Sequence, residues 1–252
     1  MRLSIVIPVK NEERLLPNLL ESIRQQSLRE DVEVIVADAG STDATQEIAV
    51  SFGAKIVEGG LPGVGRNRGA LKAQGQDIFF FDADIILPHP TFLQDCLREK
   101  EERGLDVASC QVLALDGSTL DRLLHHAYNL YTLATEKVLP HAAGFCLLTS
   151  RAAHAAIHGF DERVVFAEDH DYARRAKKAG FKVGILHTHK VPVSVRRLQK
   201  DGRLNLAVKY IFTEMYMLTR GSLKAETPMG QKYLTNWERV GDAMREEENR
   251  ES

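Results

Sequence analysis

The sequence predicts an α/β fold built on a mostly parallel sheet with helices packed against it, and three features point there. Short apolar runs rich in β-branched and aromatic residues alternate with amphipathic helical segments, the pattern of strands joined by right-handed crossovers. The clearest run, Ile78-Phe79-Phe80-Phe81, leads directly into Asp82-Ala83-Asp84, so two carboxylates stand at the end of a buried strand. Polar or glycine-rich loops follow the other strands of the first half, at the sheet edge where open α/β folds bind ligands.

Taken in order, Leu3 to Val9 reads as the first strand and Glu13 to Gln26 as an amphipathic helix. Pro17 falls in the early turns of that helix, where proline is tolerated. Val32 to Ala37 is a strand, Ala44 to Phe52 a helix and Lys55 to Val57 a short strand. Gly59 to Gly65 forms a glycine-rich loop before a helix that runs through Ala73. It lacks the GxGxxG spacing after a strand, so a dinucleotide site is not expected. Beyond the strand that ends at Asp82, Thr91 to Arg103 is helical, Asp106 to Leu115 extended and Leu120 to Val138 a longer helix. Ala143 to Thr149 is strand-like, Glu168 to Ala179 helical and Lys182 to Leu186 a strand. The last helix, Arg203 to Thr219, carries Leu204, Val208, Ile211, Phe212, Met215 and Leu218 on one side. It can cover the sheet, form a homodimer contact or lie peripherally on a membrane, and the first two are favoured. From about Gly230 the chain is polar and reads as a frayed tail.

Composition narrows the function classes. A chain of 252 residues with 44% apolar residues can bury one large domain or two small ones. A net charge of −2 gives no reason to expect a nucleic-acid partner. Cys96, Cys110 and Cys146 have neither metal-type nor redox-type spacing; their odd number argues against a disulfide framework and for a reducing, cytoplasmic setting. The opening apolar stretch is too short for a signal peptide, and no 18-residue apolar run exists to span a membrane.

Four loops carry the chemistry: Pro8 to Glu12, Asp38 to Asp43, Gly65 to Gly69, and Asp82 to Asp84. Each alone reads as a cap or turn, because Asn, Asp, Ser and Thr favour helix starts. Together they set a carboxylate for a base edge, a guanidinium for phosphate and a cation-binding acid pair along one sheet edge, as a nucleoside diphosphate ligand requires.

Pro8-x-x-Asn11-Glu12, Val36-x-Asp38-x-Gly40-Ser41-Thr42-Asp43, Arg66-Asn67-x-Gly69, Asp82-x-Asp84, Gly159-Phe160-Asp161 and Glu168-Asp169 occur in this order. The set resembles family 2 glycosyltransferases of the GT-A fold, over roughly residues 3 to 200. That resemblance implies a Rossmann-like domain over 1–200, with a nucleotide-sugar half to about 115 and an acceptor half from 116. A helical extension follows over 201–229, then a polar tail over 230–252. It implies a nucleotide-diphosphate sugar donor (UDP- or GDP-linked), a divalent cation such as Mn2+ or Mg2+, and inversion at the anomeric carbon. Pro8 and Glu12 would cradle the nucleoside, Asp38 would accept from base or ribose, and Arg66 would contact phosphate or ribose. Asp82 and Ala83 would border the ribose, and Asp84 would hold the metal with His187. Arg197 would receive the leaving diphosphate. Asp169 would be the general base and Glu168 would orient the site; acids opening a helix also suit its dipole, so that pair has a purely structural reading too. The family's frequent second aspartate after Asp38 is Ala39 here, one polar contact fewer.

The acceptor is not legible beyond a sugar or lipid-linked hydroxyl. Two other readings stand. A nucleotidyltransferase would carry a glycine-rich segment after the first strand, where this chain has Val9-Lys10-Asn11-Glu12. A non-catalytic nucleotide-sugar binder would not need a candidate base.

Overall fold

A computed structural model describes residues 3–115, 118–193, 203–228 and 230–231; the side chains of 29 and 203–211 are not described. The segment around Arg197 and the polar tail beyond 231 lie outside the described residues. The first half follows the expected alternation: β1 (Leu3–Val9), α1 (Leu16–Arg24), β2 (Val32–Asp38), α2 (Thr45–Ser51), β3 (Lys55–Glu58), α3 (Pro62–Lys72) and β4 (Asp77–Phe81). Then come α4 (Phe92–Glu102), β5 (Val107–Ala114), α5 (Thr119–Thr135), β6 (Cys146–Ser150), α6 (Arg151–Ala156) and β7 (Val164–Phe166). The described chain closes with α7 (Glu168–Lys178), β8 (Val183–Val193), α8 (Arg203–Arg220) and β9 (Leu223–Lys224).

Among the described residues the main sheet has seven strands in the order β3-β2-β1-β4-β6-β5-β8. Strands β1, β2, β3 and β4 pair in parallel, as do β5 and β8, while β6 runs antiparallel between β4 and β5. The loops after β1, β2 and β4 therefore share one edge. The strands are apolar on both faces because helices cover both. Phe79 and Phe81 point toward α4, their rings stacked at 4.3 Å with Phe92 behind. Ile78 and Phe80 point the opposite way and pack with Phe160, Tyr172 and the α3, α6 and α7 residues. Successive strand residues alternate faces, so four consecutive apolar residues serve two core layers.

Several expectations are corrected. The first helix begins at Leu16, not Glu13, because residues 11–13 are used by the neighbouring loop: the Asn11, Glu12 and Glu13 N–H groups donate to the side chains of Ser41, Thr45 and Asp43. The strand expected from Ala143 begins at Cys146, and β8 runs on past a bulge to Val193. In α5, Leu120, Leu123 and Leu130 are exposed, whereas Asn129 is buried. Its amide bonds both the N–H and the C=O of Val112, completing a stretch of β5 that β6 does not reach. In α8, Thr213 and Met217 face inward, while Phe212, Met215 and Leu218 are exposed, so this part of the stripe does not cover the sheet. The absence of a disulfide is corrected as well. Cys110 and Cys146 face each other across β5 and β6, 5.9 Å apart at Cα, and are joined. A separation of 36 residues does not reveal that two strands pair side by side. No helix among the described residues is long and apolar enough to cross a membrane.

Candidate active site

Arg66 is the centre of the site. It lies on α3, which the sheet draws in closely: a Cβ on Gly69 would stand 2.3 Å from Val6 Cγ1, so only glycine allows this approach. Arg66 is 2% exposed, yet its guanidinium is satisfied at both ends. One nitrogen meets Asp82 Oδ1 at 2.7 Å and the other meets Glu168 Oε1 at 2.7 Å. The guanidinium also lies over the Phe160 ring, 5.4 Å from its centroid. Burial opposes its charge, but the two carboxylates outweigh that cost and strengthen its hold on the proton. A planar fork can bridge two acids in this way; an ammonium cannot.

Asp169 sits one residue beyond Glu168 in the first turn of α7. Its Oδ2 accepts from the Gly144 N–H at 2.7 Å and its Oδ1 from the His170 N–H at 2.8 Å. Burial pushes its carboxyl above the ordinary value, and the neighbouring Glu168 charge adds to that; His170 and Arg66 pull the other way. Ala167, just before the pair, has a left-handed backbone (φ 55°), which turns the chain from β7 into α7. A Cβ on Gly144 would stand 3.2 Å from both Arg66 Nη2 and Asp169 Oδ2.

The nucleoside-side loops are laced together. Asp38, 4% exposed, accepts from the Ser41 N–H and hydroxyl, the Gly40 N–H and the Gln46 amide. Burial would raise its carboxyl, but these hydrogen bonds prevail and hold it below the usual value. Its oxygens are thus engaged by its own loop. Asn11 (φ 56°) accepts from the Thr42 N–H at 2.9 Å, joining the loops after β1 and β2. Pro8 packs beneath Gly65, where an added Cβ would come within 3.1 Å of its ring. Glu12 opens the turn before α1, its carbonyl accepting from Leu15 and Leu16.

Ala83 is buried, Asp82 is half-buried and Asp84 is exposed at the end of β4. A solvent-facing carboxylate next to a second one is a hard-oxygen donor set, which suits Mg2+ or Mn2+ shared with phosphate oxygens. His187 is exposed in the β8 bulge, and its backbone N–H donates to the Glu99 carboxylate of α4 at 2.8 Å. The three-residue set of metal-type donors among the described residues is His141, His170 and Glu214, and it includes neither Asp84 nor His187.

The structure brings together Arg66, Asp82, Glu168 and Asp169, drawn from α3, the β4 edge and α7. Sequence reading missed Gly144, whose contribution is a backbone N–H, and Phe160 as the ring beneath Arg66. It also gave no role to Asn67, whose amide grips the Phe160 backbone from both sides and ties α3 to the Gly159-Phe160-Asp161 turn.

This fold and edge define a GT-A-type α/β domain. The family model for glycosyl transferase family 2 matches residues 4–158, and the chain belongs to that family. Among curated proteins it is 36% identical over 115 residues to the 4,4'-diaponeurosporenoate glycosyltransferase of Staphylococcus haemolyticus, covering 41% of this chain and 30% of the relative. It is 36% identical over 101 residues to the glucosyl-3-phosphoglycerate synthase of Mycobacterium tuberculosis, covering 36% and 31%. The matched segments thus span about a third of those relatives. Among solved structures, a mannosyltransferase from Pyrobaculum calidifontis in complex with GDP-Man and Mn2+ superposes with a TM-score of 0.66 at 21% identity, covering 84% of this chain and 64% of that one. S. aureus TarS residues 1–349 with UDP superposes at 0.62 and 21% identity, covering 77% and 61%.

Proposed function

We propose that this chain transfers a sugar from a nucleotide-diphosphate donor to an acceptor hydroxyl, with inversion at the anomeric carbon. The observation that carries the reading is the Arg66 bridge. One buried guanidinium joins the acid after β4 to the acid pair opening α7, which begins 102 residues beyond Arg66 itself, and so couples a donor-side carboxylate to a candidate base. Family membership and the ligands bound in two structural neighbours, UDP in one and GDP-Man with Mn2+ in the other, support the donor class.

In this reading Asp169 accepts the proton of the acceptor hydroxyl as that oxygen bonds to the anomeric carbon and the bond to the diphosphate breaks. The Gly144 and His170 N–H groups fix its carboxylate, and burial raises its affinity for that proton. Glu168 holds Arg66, and Arg66 holds Asp82, so the acid and base sides stay in register. Pro8, Glu12 and Asp38 border the nucleoside, and Arg197 receives the diphosphate. Asp84, with Asp82 beside it, would hold a divalent cation. When bound, that ion would neutralise charge on the leaving diphosphate. The acceptor class, including a lipid-linked one, is open to screening.

The deciding variant is Asp169→Asn, which keeps the side-chain shape and the Gly144 contact. Turnover should fall by about 10²–10⁴-fold, while thermal stabilisation by UDP or GDP with Mn2+ persists. Retained turnover would remove Asp169 as the base. No nucleotide-dependent stabilisation in the folded wild type would remove the donor reading itself.

A further inference from the structure

Behind the candidate base, three side chains from three parts of the chain converge: His141 before β6, His170 in α7 and Glu214 in α8. Their ligand atoms lie within 4.8 Å of one another. His141 Nε2 stands 3.4 Å from Glu214 Oε1, and His170 Nδ1 stands 3.8 Å from Glu214 Oε2. The two imidazoles meet edge to face with centroids 4.8 Å apart. Arg174 donates to Glu214 Oε1, leaving Oε2 turned toward His170.

The hydrogen bonding of His141 fixes what it presents to the group. The Thr135 hydroxyl donates to the Tyr131 carbonyl at 2.8 Å, so its oxygen is left to accept from His141 Nδ1 at 3.4 Å. With the proton assigned to Nδ1, Nε2 offers a lone pair toward a carboxylate oxygen. His141 is 2% exposed, and its Nε2 makes no hydrogen bond among the described residues. Two lone pairs facing each other in a buried site repel unless a cation lies between them. Two imidazole nitrogens and a carboxylate oxygen form the three-ligand set that Zn2+ takes when its fourth position stays open. Outer contacts of the kind that support metal ligands are present for two of the three: Thr135 on the second nitrogen of His141 and Arg174 on the Glu214 carboxylate.

We propose that His141, His170 and Glu214 form a transition-metal site, best suited to Zn2+, separate from the acids after β4, which ties α8 to the catalytic domain. The site does not depend on the glycosyltransferase reading. The test is a Zn2+ titration of the full chain after chelator dialysis, followed by calorimetry and by melting temperature. Wild type should bind a single equivalent and gain thermal stability. Glu214→Gln and His170→Asn, at partly exposed positions, should weaken binding by at least about tenfold and abolish the thermal gain, while Asp84→Asn should leave both unchanged. Co2+ substitution should give the strong visible bands of a low-coordinate nitrogen and oxygen site in wild type and in Asp84→Asn, and lose them in Glu214→Gln. Failure to bind Zn2+, or binding that disappears only with Asp84→Asn, would overturn the proposal. It would leave a direct His141–Glu214 contact, with no metal between the two side chains, as the explanation of the cluster.

Discussion

Arg66 decides most at the residue scale. Its charge is buried and compensated from two directions, so its removal strands Asp82 and Glu168 together with no cation between them. Breaking a buried ion pair costs about 3–5 kcal/mol, and the 41% exposure of the Asp82 side chain places this case at the lower end. Arg66→Met is expected to lower unfolding stability by about 3 kcal/mol, read from urea denaturation at pH 7. Arg66→Lys should recover less than half of that loss, because one ammonium cannot span both acids. Full recovery by lysine would mean that charge, not the fork geometry, holds the site. The motif Arg66-Asn67-x-Gly69 was visible as a pattern, but the partners of its arginine were not. They lie 16 and 102 residues away, and sequence spacing carries no information about such contacts.

Helix α3 is the element that positions this chemistry, and its distance from β1 is set by glycine. At Gly69 an added methyl would meet Val6 Cγ1 at 2.3 Å, deep in the layer beneath β1 and β4. Gly69→Ala should therefore destabilise by about 1–3 kcal/mol and displace Arg66. Paired with Val6→Ala, it should cost less than the sum of the two single changes, since the second substitution clears the clash. Simple additivity in that double-mutant cycle would show that the helix moves instead of the side chain. The same scale explains the inward faces of α5 and α8. Helical periodicity identified an apolar stripe on the last helix, yet in both helices polar anchors take inward positions: Asn129 against β5, and Thr213 beside Glu214 in α8. Amphipathic spacing shows which residues share a face, but not which face meets the sheet.

For the whole molecule, one half-buried histidine contributes a pH dependence of stability. His154 on α6 is enclosed by Phe80, Phe160 and Tyr172, with Nδ1 3.0 Å from the Tyr172 hydroxyl. Burial, helped by the nearby Arg175 charge, pushes it down to about 4 from its ordinary 6.5. The unfolded chain therefore binds more protons than the folded one between those values, so stability falls as pH drops from about 6.5 toward 4. The loss attributable to this residue is about 3 kcal/mol over that window. Wild type and His154→Gln, compared by urea denaturation from pH 4.5 to 7, should converge in stability toward the acid end. Parallel curves would place the titration elsewhere.

The sequence by itself determined the α/β class, the strand-to-loop rhythm of the first half and the order of the motifs. These follow from local chemistry: apolar runs of strand length, helix-starting polar residues, and carboxylates at strand ends. The tertiary structure alone decided that β6 enters antiparallel between β4 and β5, and that Cys110 meets Cys146 there. It also decided that Arg66 joins Asp82 to Glu168, and that Glu214 reaches back to His141 and His170. Each of these depends on which elements pack side by side. That choice is made by the summed burial of two core layers, a non-local quantity that no window of neighbouring residues contains.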